Sequence, residues 1–253
     1  MGKAARDQSA RDRIKAKREE ERRKERLKRI ATITTVAVVA LGAVGAGWWY
    51  AARGSEPEQA QALAPVTVAP DGSVVMAMAG VEKPVLDVYE DFQCPACQAL
   101  EQTSGATIKN LAAEGKVKVV YHTITIFSQE LNAGVTRGNS VRAGAAARCV
   151  PGGAPWIAFH DRLFKEQPRE DVEGFKTSDM VTWGKEAGVT DPGFATCVTG
   201  QQKAAQQISY SAKVLQEAKL NGTPTLRING TELGNDVAFK PADLRKAVLD
   251  AAK

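Results

Sequence analysis

Residues 92–97 read Phe-Gln-Cys-Pro-Ala-Cys. Two cysteines two positions apart, behind an apolar run and ahead of a helical one, admit three chemistries. They can supply half of a zinc site, form a structural staple, or work as a dithiol that trades electrons. A structural zinc site commonly draws four ligands from two such pairs. Here Cys149 and Cys197 stand 48 residues apart in no second pair, and His122 and His160 form no ligand motif. No metal and no cofactor are expected. As a staple, a Cys94–Cys97 bond would close so small a loop that it removes little entropy from the unfolded chain. Redox chemistry is the reading that the flanking residues support.

Those flanks define a unit. "KPVLDVYEDF" (83–92) carries Val85, Leu86, Val88 and Tyr89 and reads as a buried strand. "ALEQTSGATIKNLAAEG" (99–115) reads as a helix closing at Gly115, and "KVKVVYHTITIF" (116–127) as the next strand. A dithiol after a strand and at the start of a helix, within a βαβ unit, is the setting of redox pairs. The two strands are expected to be parallel, with a right-handed crossover. Ahead of them, "VTVAPDGSVVMAMAG" suggests one or two strands around a turn at Asp71-Gly72, with Met76 and Met78 as strand residues.

The position dictates the chemistry. Cys94 stands at a helix N-terminus, where unpaired N–H groups and the helix dipole favour an anion. A free thiol of pKa about 8.5 is only slightly ionised at neutral pH, and each 1.36 kcal/mol of thiolate stabilisation lowers it by about one unit. Stabilising the thiolate also stabilises the reduced form, which makes the disulfide more oxidising. Cys94 is then the exposed nucleophile and leaving group, and Cys97, one turn inside the helix, the buried resolving partner. In the intervening dipeptide, Pro95 suits the first helical turn because it has no N–H to leave unpaired. Ala96 adds no charge that would hold the thiolate.

After residue 127 strand signals stop for about ninety residues. Helical stretches follow one another, separated by Pro151-Gly152-Gly153 and Asp191-Pro192-Gly193. Strands return at "TPTLRI", Asn229-Gly230 is a hairpin signal, and an amphipathic helix begins after Pro241. The order βαβ, helical block, ββα predicts an α/β protein: a thioredoxin fold with an inserted helical subdomain over about 128–218. In that order Thr223-Pro224, just before a strand, falls where the fold places a cis-proline loop. Isolated X-Pro bonds are mostly trans, so the expectation rests on the fold and not on the dipeptide. Such a loop would offer the Thr223 backbone to an extended substrate.

The N-terminal quarter is different in kind. Residues 1–29 hold 13 Lys and Arg against 6 Asp and Glu, and the remaining residues sum to −2, so the chain's +5 belongs to its tail. The domain that follows is no nucleic-acid binder by charge. From Ile30 to Ala52 there are 23 residues without a charge, ending in Trp48, Trp49 and Tyr50. As a helix rising about 1.5 Å per residue they span a hydrocarbon core, and aromatic rings favour its interface. With the basic residues on the near side, this reads as a single anchor, N-terminus cytoplasmic and catalytic domain extracytoplasmic. A cleaved signal peptide is the competing reading; its apolar core is shorter. The expected divisions are a basic segment 1–29, an anchor 30–52, a linker 53–65 and a working domain 66–253. All four cysteines lie beyond the anchor, where disulfides persist.

"DFQCPAC", Tyr121-His122 at a strand end, "FHDRLF" and "GTPT" together resemble the DsbA-like thiol:disulfide oxidoreductases, in particular membrane-anchored actinobacterial ones. The resemblance covers about residues 66–253. It implies dithiol–disulfide exchange with unfolded, reduced exported proteins, and reoxidation by a membrane oxidase of the VKOR or DsbB type. It makes Cys94 the nucleophile, Cys97 the resolving cysteine and Thr223-Pro224 the cis-proline loop. The same residues would serve a reductase or isomerase, and a binding or chaperone module on this fold would need neither cysteine. The family often has a buried acid six residues before the first cysteine, serving the proton of the second. This sequence has Val88 there, which leaves Glu90 and Asp91 as candidate acceptors. Cys149 and Cys197, both in the inserted helices, either bridge or remain two buried thiols; an exported domain favours the bridge.

Overall fold

A computed structural model describes residues 63–128 and 134–253. The basic segment and the expected anchor at 30–52 lie outside the described residues. Among the described residues, no helix is long and apolar enough to cross a membrane.

The strands are β1 (Val66–Val68), β2 (Val74–Met76), β3 (Val85–Glu90), β4 (Lys118–Thr123), β5 (Thr225–Ile228) and β6 (Thr231–Glu232). They form one sheet in the order β1-β2-β4-β3-β5-β6. The expected βαβ unit is present: β3 and β4 pair in parallel, Val85 opposite Lys118 through Glu90 opposite Thr123. Between them runs α1 (Pro95–Ala113), the helix that begins at the dithiol. The other neighbours in the sheet are antiparallel. Asn229 and Gly230, both at positive φ, turn β5 into β6, as the turn chemistry requires. Met76 is a buried strand residue. Met78 is not the strand residue expected from sequence: β2 ends at Met76, and Met78 is exposed in the loop beyond it.

The helical block is α2 (Val135–Ala147), α3 (Ala154–Lys165), α4 (Thr177–Glu186), α5 (Phe194–Thr199) and α6 (Ala204–Glu217), followed after the sheet by α7 (Asn235–Ala238) and α8 (Pro241–Ala251). Strand alternation decides which helices meet which face. Leu86 and Val88 of β3 point into the main core with Leu100, Ile108 and Leu111 of α1 and Leu244 and Val248 of α8. Asp87 and Tyr89 point the other way. Tyr89 there joins Ile124 and, from α6, Tyr210 and Val214 in a second, smaller core. Glu90 shares the parity of Leu86 and Val88, so the strand that buries those apolar residues buries a carboxylate as well.

Candidate active site

The apolar run of β3 ends in a tight turn, Asp91 to Gln93, in which the Cys94 N–H bonds the Asp91 carbonyl at 3.0 Å. Cys94 is the N-cap of α1 in extended conformation (φ −81°, ψ 117°), and Pro95 occupies the first helical position. Pro95 is exposed and Ala96 half-buried. Cys94 is partly open to solvent, Cys97 fully buried, and both are free thiols. Opposite them the Thr223–Pro224 peptide is cis. The Thr223 carbonyl accepts a hydrogen bond from Cys94 Sγ at 3.3 Å. The structure thus brings together Cys94, Cys97, Thr223 and Pro224.

The two thiols are set far apart in acidity. Cys94 is lowered to about 7: hydrogen bonding with the Cys97 thiol outweighs burial, with help from Thr223 and the Cys97 N–H. Cys97 is pushed well above the usual thiol range, chiefly by burial and then by Cys94 itself. Its sulfur receives the Asp91 N–H at 3.5 Å. One sulfur is therefore exposed and readily ionised, the other enclosed and held as a thiol. Such a pair can attack a disulfide, form a mixed disulfide and resolve it.

Glu90 and Asp91 are both buried behind the dithiol, and both carboxylates are already engaged. Asp91 accepts from the Gln93 and Ile126 N–H groups and from the Ser140 hydroxyl, each at 2.8 Å. Burial raises it to about 6 despite those bonds. Glu90 meets His160 of α3, Nε2 to Oε1 at 2.6 Å. His160 Nδ1 lies 3.1 Å from Asp161, which in turn holds Lys109 at 2.6 Å. Glu101, one turn beyond Cys97 on α1, completes this buried set and is raised to about 7 by burial. Glu90, Glu101 and His160 offer ligand atoms within 4.8 Å of one another. His160 and Lys109 already bring positive charge to the same acids, and the set reads as an ion-pair network. His160, which forms no ligand motif in the sequence, is a buried ion-pair partner. His122, on the other face, bridges Asp87 at 3.0 Å and the Tyr210 hydroxyl at 2.9 Å.

Cys149 and Cys197 are joined, with Sγ atoms 2.07 Å apart and Cα atoms 5.9 Å apart. The bond ties the end of α2 to α5, inside the helical block. Sequence reading missed a set of glutamines around the dithiol. Gln93 and Gln98 on one side and Gln167 on the other link the active-site turn to the end of α3. Nothing in their spacing marks them.

The family model for thioredoxin matches residues 81–250. The chain belongs to the thioredoxin family. Among solved structures it is similar to the oxidised DsbA of Mycobacterium tuberculosis at 28% identity and a TM-score of 0.58, covering 75% of this chain and 92% of that one. It is equally similar, at 28% identity and a TM-score of 0.57, to the reduced disulfide bond oxidoreductase DsbG of the same organism, over 69% of this chain and 82% of that one. The thiol-disulfide oxidoreductase MdbA of Corynebacterium diphtheriae shares the fold (TM-score 0.61, 20% identity, 77% and 96% covered). No curated protein matches the sequence. The chain is a DsbA-like thiol:disulfide oxidoreductase.

Proposed function

We propose that this protein is a membrane-tethered oxidase that introduces disulfides into exported proteins through Cys94 and Cys97. One observation carries the reading: an accessible, acid-shifted Cys94 at the start of α1, in front of a cis-proline loop, with its partner Cys97 buried. In the oxidised form, a substrate thiolate attacks Cys94 Sγ, the Cys94–Cys97 bond breaks, and Cys97 leaves as a thiolate that takes up a proton. A second substrate thiolate attacks the substrate sulfur of the mixed disulfide and Cys94 leaves. The substrate gains a disulfide, and the protein holds two reduced cysteines. Thr223 stands where an extended substrate strand would pair. Glu90 and Asp91 are the buried acids beside Cys97, and we assign them the handling of its proton. A quinone-linked membrane oxidase of the VKOR or DsbB type would restore the disulfide. The uncharged stretch 30–52 and the basic residues before it support an anchor that places this domain outside the membrane.

A second reading, a disulfide reductase or isomerase, is favoured by the acidity of Cys94. A pKa of about 7 is nearer the roughly 7 of thioredoxin than the roughly 3.5 of DsbA. The reduction potential of Cys94–Cys97, equilibrated against glutathione, decides between them. Reference values are about −120 mV for DsbA and about −270 mV for thioredoxin. A potential nearer the first supports the oxidase; one nearer the second overturns it in favour of the reductase. Activity that survives loss of both cysteines would leave only a binding module.

A further inference from the structure

The active-site turn and the helical insertion are fastened by three glutamine side chains. Gln93, fully buried, donates from Nε2 to the Pro168 carbonyl at 2.8 Å. Gln98, on the first turns of α1, donates to the Phe164 carbonyl at 2.7 Å. Gln167 reaches back across the same junction. Its Nε2 donates to the Phe92 carbonyl at 2.8 Å and to the Cys94 carbonyl at 3.0 Å. Both partners are pure acceptors, so only the nitrogen end of the amide can face them, and its two hydrogens are both used.

Gln98 and Gln93 grip the backbone of the insertion. Of the three side chains only Gln167 reaches the backbone of the nucleophile, whose carbonyl also accepts the Cys97 and Gln98 N–H groups of the first helical turn at 3.0 and 3.2 Å. The carbonyls it holds stand on either side of Gln93, so one planar amide spans the three residues that aim Cys94. We propose that Gln167 is a positioning residue for Cys94, pinning the carbonyls of residues 92 and 94 and thereby holding the sulfur where the start of α1 and Thr223 act on it.

This inference rests on the reading of Cys94 as the reactive thiol. Two physical effects give it a direction. Phe92 is buried, so its carbonyl cannot turn to water when the amide is withdrawn. The turn must rotate to find another donor, and Cys94 moves with it. In addition, the carbonyl oxygen of Cys94 repels its own thiolate, and the Gln167 N–H adds a further donor to the Cys97 and Gln98 N–H groups that already weaken the repulsion. Removing Gln167 therefore disfavours the thiolate on both counts. A less stable thiolate means a less stable reduced form and a weaker oxidant.

The test is Gln167→Met, which keeps length and volume and removes both donors. The readouts are the thiolate absorbance of Cys94 against pH and the equilibrium with glutathione. The expected result is a Cys94 midpoint higher by about one unit and a glutathione equilibrium moved about tenfold towards the disulfide, about 30 mV. Gln98→Met is the control: it removes a side-chain bond across the same junction, leaves the Gln98 N–H on the Cys94 carbonyl, and should move neither readout. Should Gln167→Met not fold, Gln167→Asn, with its amide withdrawn by one methylene, carries the same measurements. Unchanged values in the Gln167 variant, or an equal shift in Gln98→Met, overturn the proposal. Failure of the functional reading shows separately, as a parent protein that exchanges no disulfide with glutathione.

Discussion

His160 Nε2 lies 2.6 Å from Glu90 Oε1, and both side chains are fully buried. Removing one member of such a pair leaves an uncompensated charge in the core, which costs roughly 3–5 kcal/mol. Glu90→Ala should therefore destabilise the fold by about that amount, measured as a fall in the urea midpoint. A change below about 1 kcal/mol would show that Asp161 and Glu101 hold the imidazolium without Glu90.

The same network fixes a pH dependence. Burial would lower His160, but Glu90, Asp161 and Glu101 raise it to about 10. Burial raises Glu101 to about 7 and Asp91 to about 6. In all three the folded value lies above the unfolded one, so the folded state holds protons that the unfolded chain has released. Their stabilisation is complete below the unfolded values and is lost as pH rises through the folded ones. Asp161 and Glu114, both lowered, act in the opposite sense only below the ordinary carboxylate range. With the dithiol oxidised, so that Cys94 and Cys97 do not titrate, the urea midpoint should fall steadily from about pH 5 to about pH 10. The upper part of the fall should shrink in Glu90→Ala. A flat or rising profile would mean that the cluster is not charged as described.

Cys94 and Cys97 should behave asymmetrically. Cys94→Ser should abolish exchange, whereas Cys97→Ala should accumulate mixed disulfides on Cys94 that are visible by non-reducing electrophoresis. Alkylation of the reduced protein should rise with pH through a midpoint near 7, and Cys94→Ser should remove that step. A midpoint at the ordinary thiol value would contradict the acid shift described for Cys94.

The Cys149–Cys197 bond joins residues 48 apart. On the chain-entropy account a closed loop of that length stabilises by about 4 kcal/mol. The Cys149→Ala/Cys197→Ala variant should lose about that much in equilibrium unfolding while keeping its dithiol potential, since the bond ties two helices that do not carry the dithiol. A shifted potential would show that the bond also shapes the active site.

Much of this was legible in the chain because it is written in local pattern. Val85, Leu86, Val88 and Tyr89, then the CPAC stretch, then an uninterrupted helix and Val117 to Ile126, specify the βαβ unit by periodicity alone. Asn229-Gly230 specifies its turn by conformational preference. The cis bond at Thr223-Pro224 is in no dipeptide signal and was reachable only through the fold. The charged core was not legible. Glu90 and His160 are 70 residues apart, and a lone histidine on an apolar helical face looks the same whether it packs or carries charge. The glutamines were still less visible, because an uncharged amide has no periodicity and its partners are backbone carbonyls. Met78 misled for the opposite reason: alternation continued in sequence past the point where β2 loses its neighbour.

The bond between Cys149 and Cys197 has a consequence for the birth of the molecule. A new chain emerges with four thiols, and four cysteines can be paired in three ways. One way yields the finished fold with the CPAC pair closed. If the protein is the oxidase proposed above, it depends on a bond of the kind it makes and is, when new, one of its own clients. Its first mature copies would then ease the maturation of later ones, and a cell depleted of it would recover with a lag, as in any process that requires its own product.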